Sequence, residues 1–285
     1  MSNDAFAVRP AGTSPDQLAA YADLLGRVFG AGPKFTLQAI AWRYRDNPAG
    51  EVVGADAWDG DRLAAHYVTC PVEALIDGRV VKGLLSLNTA TDPDYQGRGL
   101  FTRLAEASYA QGTAAGYQFV IGVANANSTP GFLRKLAFQD VGRLHAGFLA
   151  RPPRRFEAAP LQYQGNWRKD LLRWRLANPA GRYHAARHGD LLGVWARTDV
   201  PFVRCAAFLE AQGAPIPLAS RAPLCATLFI GLEPRADLRR QGLLPVPERV
   251  RPSPLNLIWR SLGGAAPTAL RSDAVALNFL DFDPY

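Results

Sequence analysis

The stretch that decides the fold reads DPDYQGRGLFTRL and covers residues 92–104. An apolar, strand-like run from Gly83 to Ala90 precedes it, and a helix-like run from Leu100 to Gln111 follows it. Glycines at positions 97 and 99 let the backbone approach a ligand closely, because no Cβ stands in the way. The first turn of a helix presents unpaired N–H groups and partial positive charge. This order of strand, loop and helix therefore predicts a phosphate-binding site.

Spacing excludes two familiar glycine loops. The chain has no Gly-x4-Gly-Lys-Ser/Thr sequence, so the loop is not a P-loop, and no third glycine follows Gly99, so the dinucleotide fingerprint fails as well. PDYQGRGL, residues 93–100, instead resembles the acyl-CoA pyrophosphate loop of the GNAT superfamily of N-acyltransferases. The family pattern is Gln/Arg-x-x-Gly-x-Gly/Ala. Both glycines match, whereas Asp94 stands at the usual Gln or Arg position.

A second part of the family pattern follows in the expected order. YQFVIGVA, residues 117–124, reads as a buried strand. In the family an asparagine comes next, and then a helix that ends in Leu-Tyr-x-Lys-Leu-Gly-Phe; FLRKLAF, residues 132–138, fits that register. The resemblance covers about residues 5–150. It implies an α/β GNAT fold, with a mixed central sheet flanked by helices, and acetyl-CoA or another acyl-CoA as co-substrate.

The resemblance also implies where the coenzyme binds, between two strands that splay apart at 84–91 and 118–124. The main chain of one strand would bind the pantetheine arm, and N–H groups of the loop would bind the pyrophosphate. Arg98 either adds a charge-assisted contact or is a solvated arginine. The asparagines after the second strand either bind the coenzyme or cap the next helix. The predicted coenzyme-binding residues are Thr89, Ala90, Thr91, Gln96, Gly97, Arg98, Gly99, Leu100, Phe101, Asn125 and Asn127.

The sequence does not assign a catalytic residue. Many relatives have a tyrosine that protonates the departing thiolate, but Leu133 occupies that position here, and the strand before the loop has no glutamate. Another tyrosine or a water molecule could replace the acid. For each candidate side chain, a structural or exposed position is favoured over a catalytic role. The candidate acids are Tyr95 and Tyr109, and the candidate bases are Asp92, Glu73 and His66.

Length and composition restrict the class of protein. The 285 residues suggest two domains. No apolar run approaches a membrane span, and the N-terminus lacks the plan of a signal peptide, so a cytoplasmic protein is expected. The three cysteines are widely spaced and read as reduced thiols. No cluster of His and Cys has metal-ligand spacing, and no metal is expected.

The net charge of +7 has two interpretations. It could attract anionic partners such as CoA, nucleotide-linked sugars or RNA, or the arginines could simply solvate the surface. The basic residues are scattered and do not alternate with aromatics, so nucleic acid is not favoured as a partner. A small-molecule amine is the expected acceptor, and the oligomeric state is not predicted. Aromatic residues before the loop either line an acceptor pocket or pack the core: Phe29, Phe35, Trp42, Tyr44 and Trp58.

An eroded repeat divides the chain. NPAG at 47–50 recurs at 178–181, each copy after a Trp-Arg pair, and FVIG at 119–122 recurs as LFIG at 228–231. The same order in both halves indicates duplication. Aligning AQG at 110–112 with AQG at 211–213 predicts a helix over 201–210. The same alignment predicts that the second copy has lost a hairpin together with the glycine loop.

This repeat predicts a tandem arrangement. Residues 1–150 would form the acyl-CoA-binding GNAT domain, and the proline-rich segment 151–160 a linker. Residues 161–285 would form a degenerate GNAT-like domain without the pyrophosphate loop. Alternation at 274–283 predicts a terminal strand, whose Asp281 and Asp283 are either turn residues or the acidic rim of a site.

Three functions remain open from the sequence. The first is N-acyl transfer, with acetyl the expected group, from acyl-CoA to a small-molecule amine such as an amino sugar or metabolite. The second is aminoacyl transfer from tRNA by a paired GNAT-like fold, which the well-formed glycine loop disfavours. The third is a CoA-binding sensor or scaffold without turnover, which the missing tyrosine and glutamate leave open.

Overall fold

The computed structural model of the chain describes residues 6–210, 218–219, 221–251 and 253–282. Within them the helices are α1 (Pro15–Phe29), α2 (Leu37–Tyr44), α3 (Leu100–Ala114), α4 (Thr129–Lys135), α5 (Lys169–Leu176) and α6 (Phe279–Phe282). The strands are β1 (Ala7–Pro10), β2 (Val53–Asp59), β3 (Arg62–Ile76), β4 (Arg79–Thr91), β5 (Phe119–Ala124), β6 (Gln139–Arg143), β7 (His145–Leu149), β8 (Tyr163–Gly165), β9 (Tyr183–His188), β10 (Leu191–Arg197), β11 (Val203–Glu210), β12 (Ala226–Leu232), β13 (Leu243–Pro245), β14 (Asn256–Ser261) and β15 (Val275–Asn278). None of the described helices combines the length and the apolar character needed to cross a membrane.

The first sheet has the strand order that the sequence predicts around the glycine loop. Strands β1 to β4 are antiparallel neighbours, and β5 runs parallel to β4 after the crossover through α3. The predicted strand at 83–90 and the helix from Leu100 are confirmed. The predicted helix near 132–138 is α4, which begins and ends three residues earlier than that motif. Both faces of this mixed sheet are covered, which gives the predicted α/β layers.

Different helices cover the two faces of the first sheet. Apolar residues of α3 pack with Leu84 and Val120 on one face. On the other face α1 buries Leu18, Leu24 and Leu25 against β3 and β4. Helix α1 begins at Ser14 with a capping box, in which Ser14 and Gln17 satisfy each other's backbone N–H groups. The aromatics before the loop are divided between core and surface: Tyr44 is fully buried and Trp42 almost so, whereas Phe29 is 52% exposed.

The second sheet repeats this strand order. Strands β9, β10 and β11 are antiparallel neighbours, and β12 runs parallel to β11 as β5 does to β4. The matching of LFIG at 228–231 with FVIG at 119–122 is therefore confirmed by topology. The predicted helix over 201–210 is wrong, because β11 occupies it and forms the hairpin that was expected to be lost. Both faces of β11 are buried, and a short apolar run of that kind has no diagnostic period. The motif at 211–213 lies outside the described residues.

Each sheet contains a strand from the other half of the chain. Strand β14 lies between β5 and β6, and its residues Asn256–Ser261 pair along the whole length of β5. Reciprocally, β7 lies between β12 and β13. The division of the chain into two domains at 151–160 stays a prediction. In both sheets, however, hydrogen bonds join strands that precede this segment to strands that follow it.

The two copies of the repeat meet at a pair of tryptophans. The rings of Trp42 and Trp174 stack with centroids 4.4 Å apart and an interplanar angle of 16°. Trp42 Nε1 donates to the Trp174 carbonyl at 3.2 Å, and Trp174 Nε1 donates to the Trp42 carbonyl at 3.0 Å. The asparagines of the two NPAG motifs also match, since each Oδ1 accepts from the alanine N–H two residues on, at Ala49 and Ala180. Equivalent residues thus make equivalent bonds, as duplication predicts.

We expect Trp42→Ala and Trp174→Ala to be strongly coupled in their effects on stability. Each substitution removes the ring stacking and one of the two reciprocal hydrogen bonds, so the second substitution has no stacking left to remove. A double-mutant cycle by urea denaturation should give a coupling free energy of about 1–2 kcal/mol. Additive losses would show that the two repeats do not support each other through this pair.

Candidate active site

Strands β4 and β5 separate partway along their length. Their parallel pairing runs from Leu84 to Ser86 on β4 and ends opposite Gly122, although both strands continue beyond it. We call the gap between residues 87–91 and 123–124 the seam. On β4, two residues (Asn88 and Thr89) lie opposite Tyr67 of β3, which makes a β-bulge, and Asn88 has a φ of 50°. Such a bulge bends the strand and changes the direction of its backbone groups.

The glycine loop lies beyond the end of β4 and is open to solvent. Gly97 and Gly99 have φ values of 75° and 74°, which L-residues rarely adopt, and an added Cβ at either position would meet no atom within 4 Å. Residues 96–99 are exposed. Gln96 N–H donates to the Pro93 carbonyl, but the structure gives no partner within its described residues to the N–H groups of residues 97–102. Six consecutive donors at a helix start form an anion-binding arrangement.

Charged side chains hold the start of this loop. Asp92 accepts from the Asp94 N–H at 3.1 Å and from Arg62, and Arg62 also pairs with Asp94 at 2.8 Å. Tyr95 OH donates to Asp59 at 2.9 Å. Although burial acts to raise it, the Asp94 N–H and the Arg62 guanidinium hold the pKa of Asp92 below its usual value. Asp92 is thus an anion with a structural role. Asp94, which stands where the family usually has Gln or Arg, pairs with Arg62.

Two of the remaining predicted coenzyme-binding side chains, Arg98 and Asn125, have local partners. Arg98 Nη2 donates to the Asp94 carbonyl at 3.2 Å, and its guanidinium lies 5.2 Å from the Tyr95 ring centroid. Asn125 Oδ1 accepts from the N–H groups of Asn127 and Ser128, so Asn125 shapes the turn before α4. The Asn127 side chain has no hydrogen-bond partner in the described part of the chain. Thr89, Ala90 and Thr91 lie on β4 along the seam.

A family comparison agrees with this geometry. Residues 8–140 match the model of the acetyltransferase (GNAT) domain. This part of the chain is a GNAT domain. It makes the protein an acyltransferase, and GNAT domains use acyl-CoA as the acyl donor. No curated protein sequence matches the chain.

Solved structures extend the likeness in fold to both halves. A GCN5-related N-acetyltransferase from Kribbella flavida has a TM-score of 0.61 at 14% identity, covering 93% of this chain and 74% of the other. One from Anabaena variabilis has a TM-score of 0.59 at 9% identity, covering 90% and 73%. A tandem GNAT protein from the clavulanic acid biosynthesis pathway has a TM-score of 0.53 at 9% identity, covering 91% and 99%. At these identities only the fold is shared.

In the second half, the counterpart of the seam is closed by the chain itself. Strands β11 and β12 stop pairing after Ala206 and Phe229. Beyond that point Gly231 pairs with β7 on one side and with Asn278 of β15 on the other, so β15 lies on the side where β11 diverges. The GNAT domain of the first half keeps the corresponding gap open. The predicted terminal strand is therefore β15, which ends at Asn278 before α6; Asp283 lies outside the described residues.

The acid and base candidates from the sequence are already engaged in the GNAT domain. Tyr109 OH hydrogen-bonds Tyr67 OH, which bonds Ser86 Oγ at 2.9 Å. Burial raises the pKa of Tyr67 to about 12 and that of Tyr109 still further. Glu73 pairs with Arg168 at 3.0 Å. These partners stabilise the structure and leave the reacting groups unassigned.

His66 belongs to a buried chain of hydrogen bonds that sequence reasoning missed. Its Nδ1 lies 2.6 Å from Asp56 Oδ1 and its Nε2 lies 3.2 Å from Tyr44 OH, which in turn accepts from Asn88 Nδ2 at 3.1 Å. Tyr21 donates to the other Asp56 oxygen at 2.6 Å. Asp56, His66 and Tyr44 are fully buried, and Asn88 at the β4 bulge is half-buried, so this chain of hydrogen bonds links the interior of the domain to the bulge. Asp56 within an apolar strand was the available signal.

Proposed function

We propose that the protein transfers an acetyl group from acetyl-CoA to the primary amine of a small molecule, such as an amino sugar or a metabolite. The observation that carries this proposal is the row of N–H groups at residues 97–102, which have no partner among the described residues and lie next to the open seam. In this proposal the row binds the pyrophosphate. The backbone of Thr89, Ala90 and Thr91 binds the pantetheine arm, as a further strand would.

The chemistry that this site must perform is modest. Positioning the thioester beside the amine supplies much of the rate, because the reaction becomes effectively unimolecular. Backbone N–H groups at the bulge of β4 are suited to the developing oxyanion. The leaving thiolate resembles that of cysteine, whose thiol has a pKa of about 8.5, so it departs with little assistance near neutral pH. An acid at Leu133 is therefore not required.

A CoA-binding sensor without turnover is the second candidate. It is favoured by one observation: the tyrosines and carboxylates suggested by the sequence are committed to hydrogen bonds or ion pairs. Transfer from tRNA has less support, because the glycine loop is open and shaped for an anion.

Two measurements on the purified chain test the proposal. Isothermal titration with acetyl-CoA should show one site per chain. Thiol release should then follow addition of a panel of amines that contains amino sugars, polyamines and amino acids. Binding without release from any amine would favour the sensor. Failure to bind acetyl-CoA would contradict both readings.

A further inference from the structure

A small cavity lies where the two halves meet, on the face of the first sheet opposite α3. Its volume is about 40 Å³, and one wall is formed by Leu87 and Val123 of the seam together with Gly122, where the pairing ends. Side chains alternate between the faces of a strand. Leu84 and Val120 face α3, whereas Leu85 and Ile121 face the core shared with the second half. The cavity therefore opens on the end of the seam where β4 and β5 begin to separate.

The second half contributes a carboxylate to this cavity. Asp281, in α6, is 9% exposed, and its Oδ2 accepts from the Asn278 N–H at 2.8 Å. A Cβ at Gly165 would collide with Asp281 Oδ1 and would also approach Trp167 Nε1, so the glycine leaves room for both polar groups. Burial raises the pKa of Asp281 to about 7, although the Asn278 N–H and the Arg175 charge act in the opposite direction. The carboxylate can therefore exchange a proton near neutral pH.

The other titratable groups around this cavity are unsuited to that exchange. Glu73 is paired with Arg168 and Asn166. Burial raises the pKa of Cys70 to about 11 and that of Tyr163 above its usual value. The remaining charged groups near Asp281 are arginines 43 and 175, which line the cavity, and Glu233, whose negative charge acts to raise the Asp281 pKa. Among the described groups around this cavity, Asp281 is the carboxylate whose raised pKa suits it to accept a proton near neutral pH.

We propose that this cavity receives the amino group of the acceptor and that Asp281 is the general base that removes its proton. The inference rests on the proposed function. An ammonium R–NH₃⁺ gives one proton to the carboxylate, and the free nitrogen lone pair forms a bond to the thioester carbon. The carbonyl electrons move to the oxygen and return as the C–S bond breaks, and the sulfur leaves with the bonding electron pair. The thiolate takes up the second proton that the nitrogen loses, which gives the amide and the free thiol of CoA. The acyl donor would enter from the α3 face and the amine from the face where the halves meet.

The test compares Asp281→Asn with wild type, using the amine that wild type acetylates fastest. Removing the base should lower kcat/KM at pH 7 by about 100-fold or more. The acid limb of the wild-type pH profile, near pH 7, should be absent from the variant. Activity should recover as the pH passes the pKa of the amine, because free amine is then available from solution. Asp273 is an exposed carboxylate paired with Arg271, and Asp273→Asn is the matched control. It should change neither kcat/KM at pH 7 nor the acid limb of the pH profile.

Binding of acetyl-CoA separates this inference from the proposed function. Asp281→Asn should bind acetyl-CoA as wild type does, since the pyrophosphate loop lies beyond the far end of the seam. An unchanged pH profile in a variant that binds normally overturns the role of Asp281 alone. If wild type does not bind acetyl-CoA, the proposed function is overturned as well.

Two further measurements keep the inference testable. If Asp281→Asn does not fold, Trp167→Phe replaces it, because loss of the indole N–H beside the carboxylate should move the acid limb to higher pH. If no amine is acetylated, an infrared titration of wild type should show a buried carboxyl that titrates near pH 7 and responds to acetyl-CoA. A carboxyl that stays ionised to pH 4, or that ignores acetyl-CoA, overturns the proposal.

Discussion

Gly99→Trp and Gly97→Trp should each raise the dissociation constant for acetyl-CoA by about 100-fold or more, which corresponds to at least 2.7 kcal/mol. The reason is geometric. Both glycines have positive φ values, and the space beside their Cα atoms is empty. An indole there occupies the volume in front of the unpaired N–H groups and blocks charge-assisted hydrogen bonds, each worth about 1.5–3 kcal/mol. Isothermal titration measures the loss directly.

A matched control separates this steric block from backbone strain. Gly78, in the turn between β3 and β4, has a φ of 79° and equally open surroundings. Gly78→Trp therefore carries the same conformational cost of about 1–2 kcal/mol, but lies outside the glycine loop. The Gly78→Trp variant should have a lower melting temperature than wild type but the same dissociation constant for acetyl-CoA. Normal binding by the Gly97 and Gly99 variants would remove the loop from the mechanism.

Trp259→Ala should lower the free energy of unfolding by about 3–5 kcal/mol. Trp259 lies on the exchanged strand β14 and is fully buried. Its ring stacks on Phe119 at 4.8 Å, packs edge-on against Tyr163, and its Nε1 donates to the Pro267 carbonyl. Truncation leaves a cavity between the first sheet and the core shared by both halves.

Urea denaturation provides the measurement. Because β7 and β14 cross between the sheets, we expect wild type and variant each to unfold in one transition. Trp58→Ala is the control, since that ring is only partly buried on β2 beneath Arg9, and its loss should cost about 1 kcal/mol or less. Two separated transitions in wild type would show that the halves fold independently despite the exchange.

Local sequence patterns were sufficient to predict the elements around the glycine loop, whereas its role in coenzyme binding stays a prediction. The glycines at 97 and 99 and the apolar strands on either side specify a turn, a helix start and a parallel crossover through contacts close in sequence. Helix α3 and strands β4 and β5 accordingly appear where they were predicted. The second copy was harder: β11 is buried on both faces, so its apolar run does not alternate and was interpreted as a helix.

Long-range pairing could not be predicted from the same patterns. Nothing within 256–261 indicates that this segment pairs with β5. The partner of a strand depends on which other strand has a free edge, and that is not written in the strand's own sequence. The sequence left two roles open for Asp281, a turn residue or the rim of a site. In the structure Asp281 accepts a hydrogen bond from the Asn278 N–H at the start of α6, and it also lines a cavity. Asn88 and Asp56 were missed for a related reason: their hydrogen bonds join residues from separate elements.

The exchange of strands has a practical consequence for anyone who would shorten the gene. A fragment that stopped at residue 150 would keep the glycine loop, yet β5 would lose its neighbour β14 and present an unpaired edge beside the seam. Exposed edges of that kind recruit other chains and precipitate. The first half thus depends for a fully paired sheet on a strand encoded more than a hundred codons after residue 150, and a premature stop before that strand would leave the β5 edge unpaired.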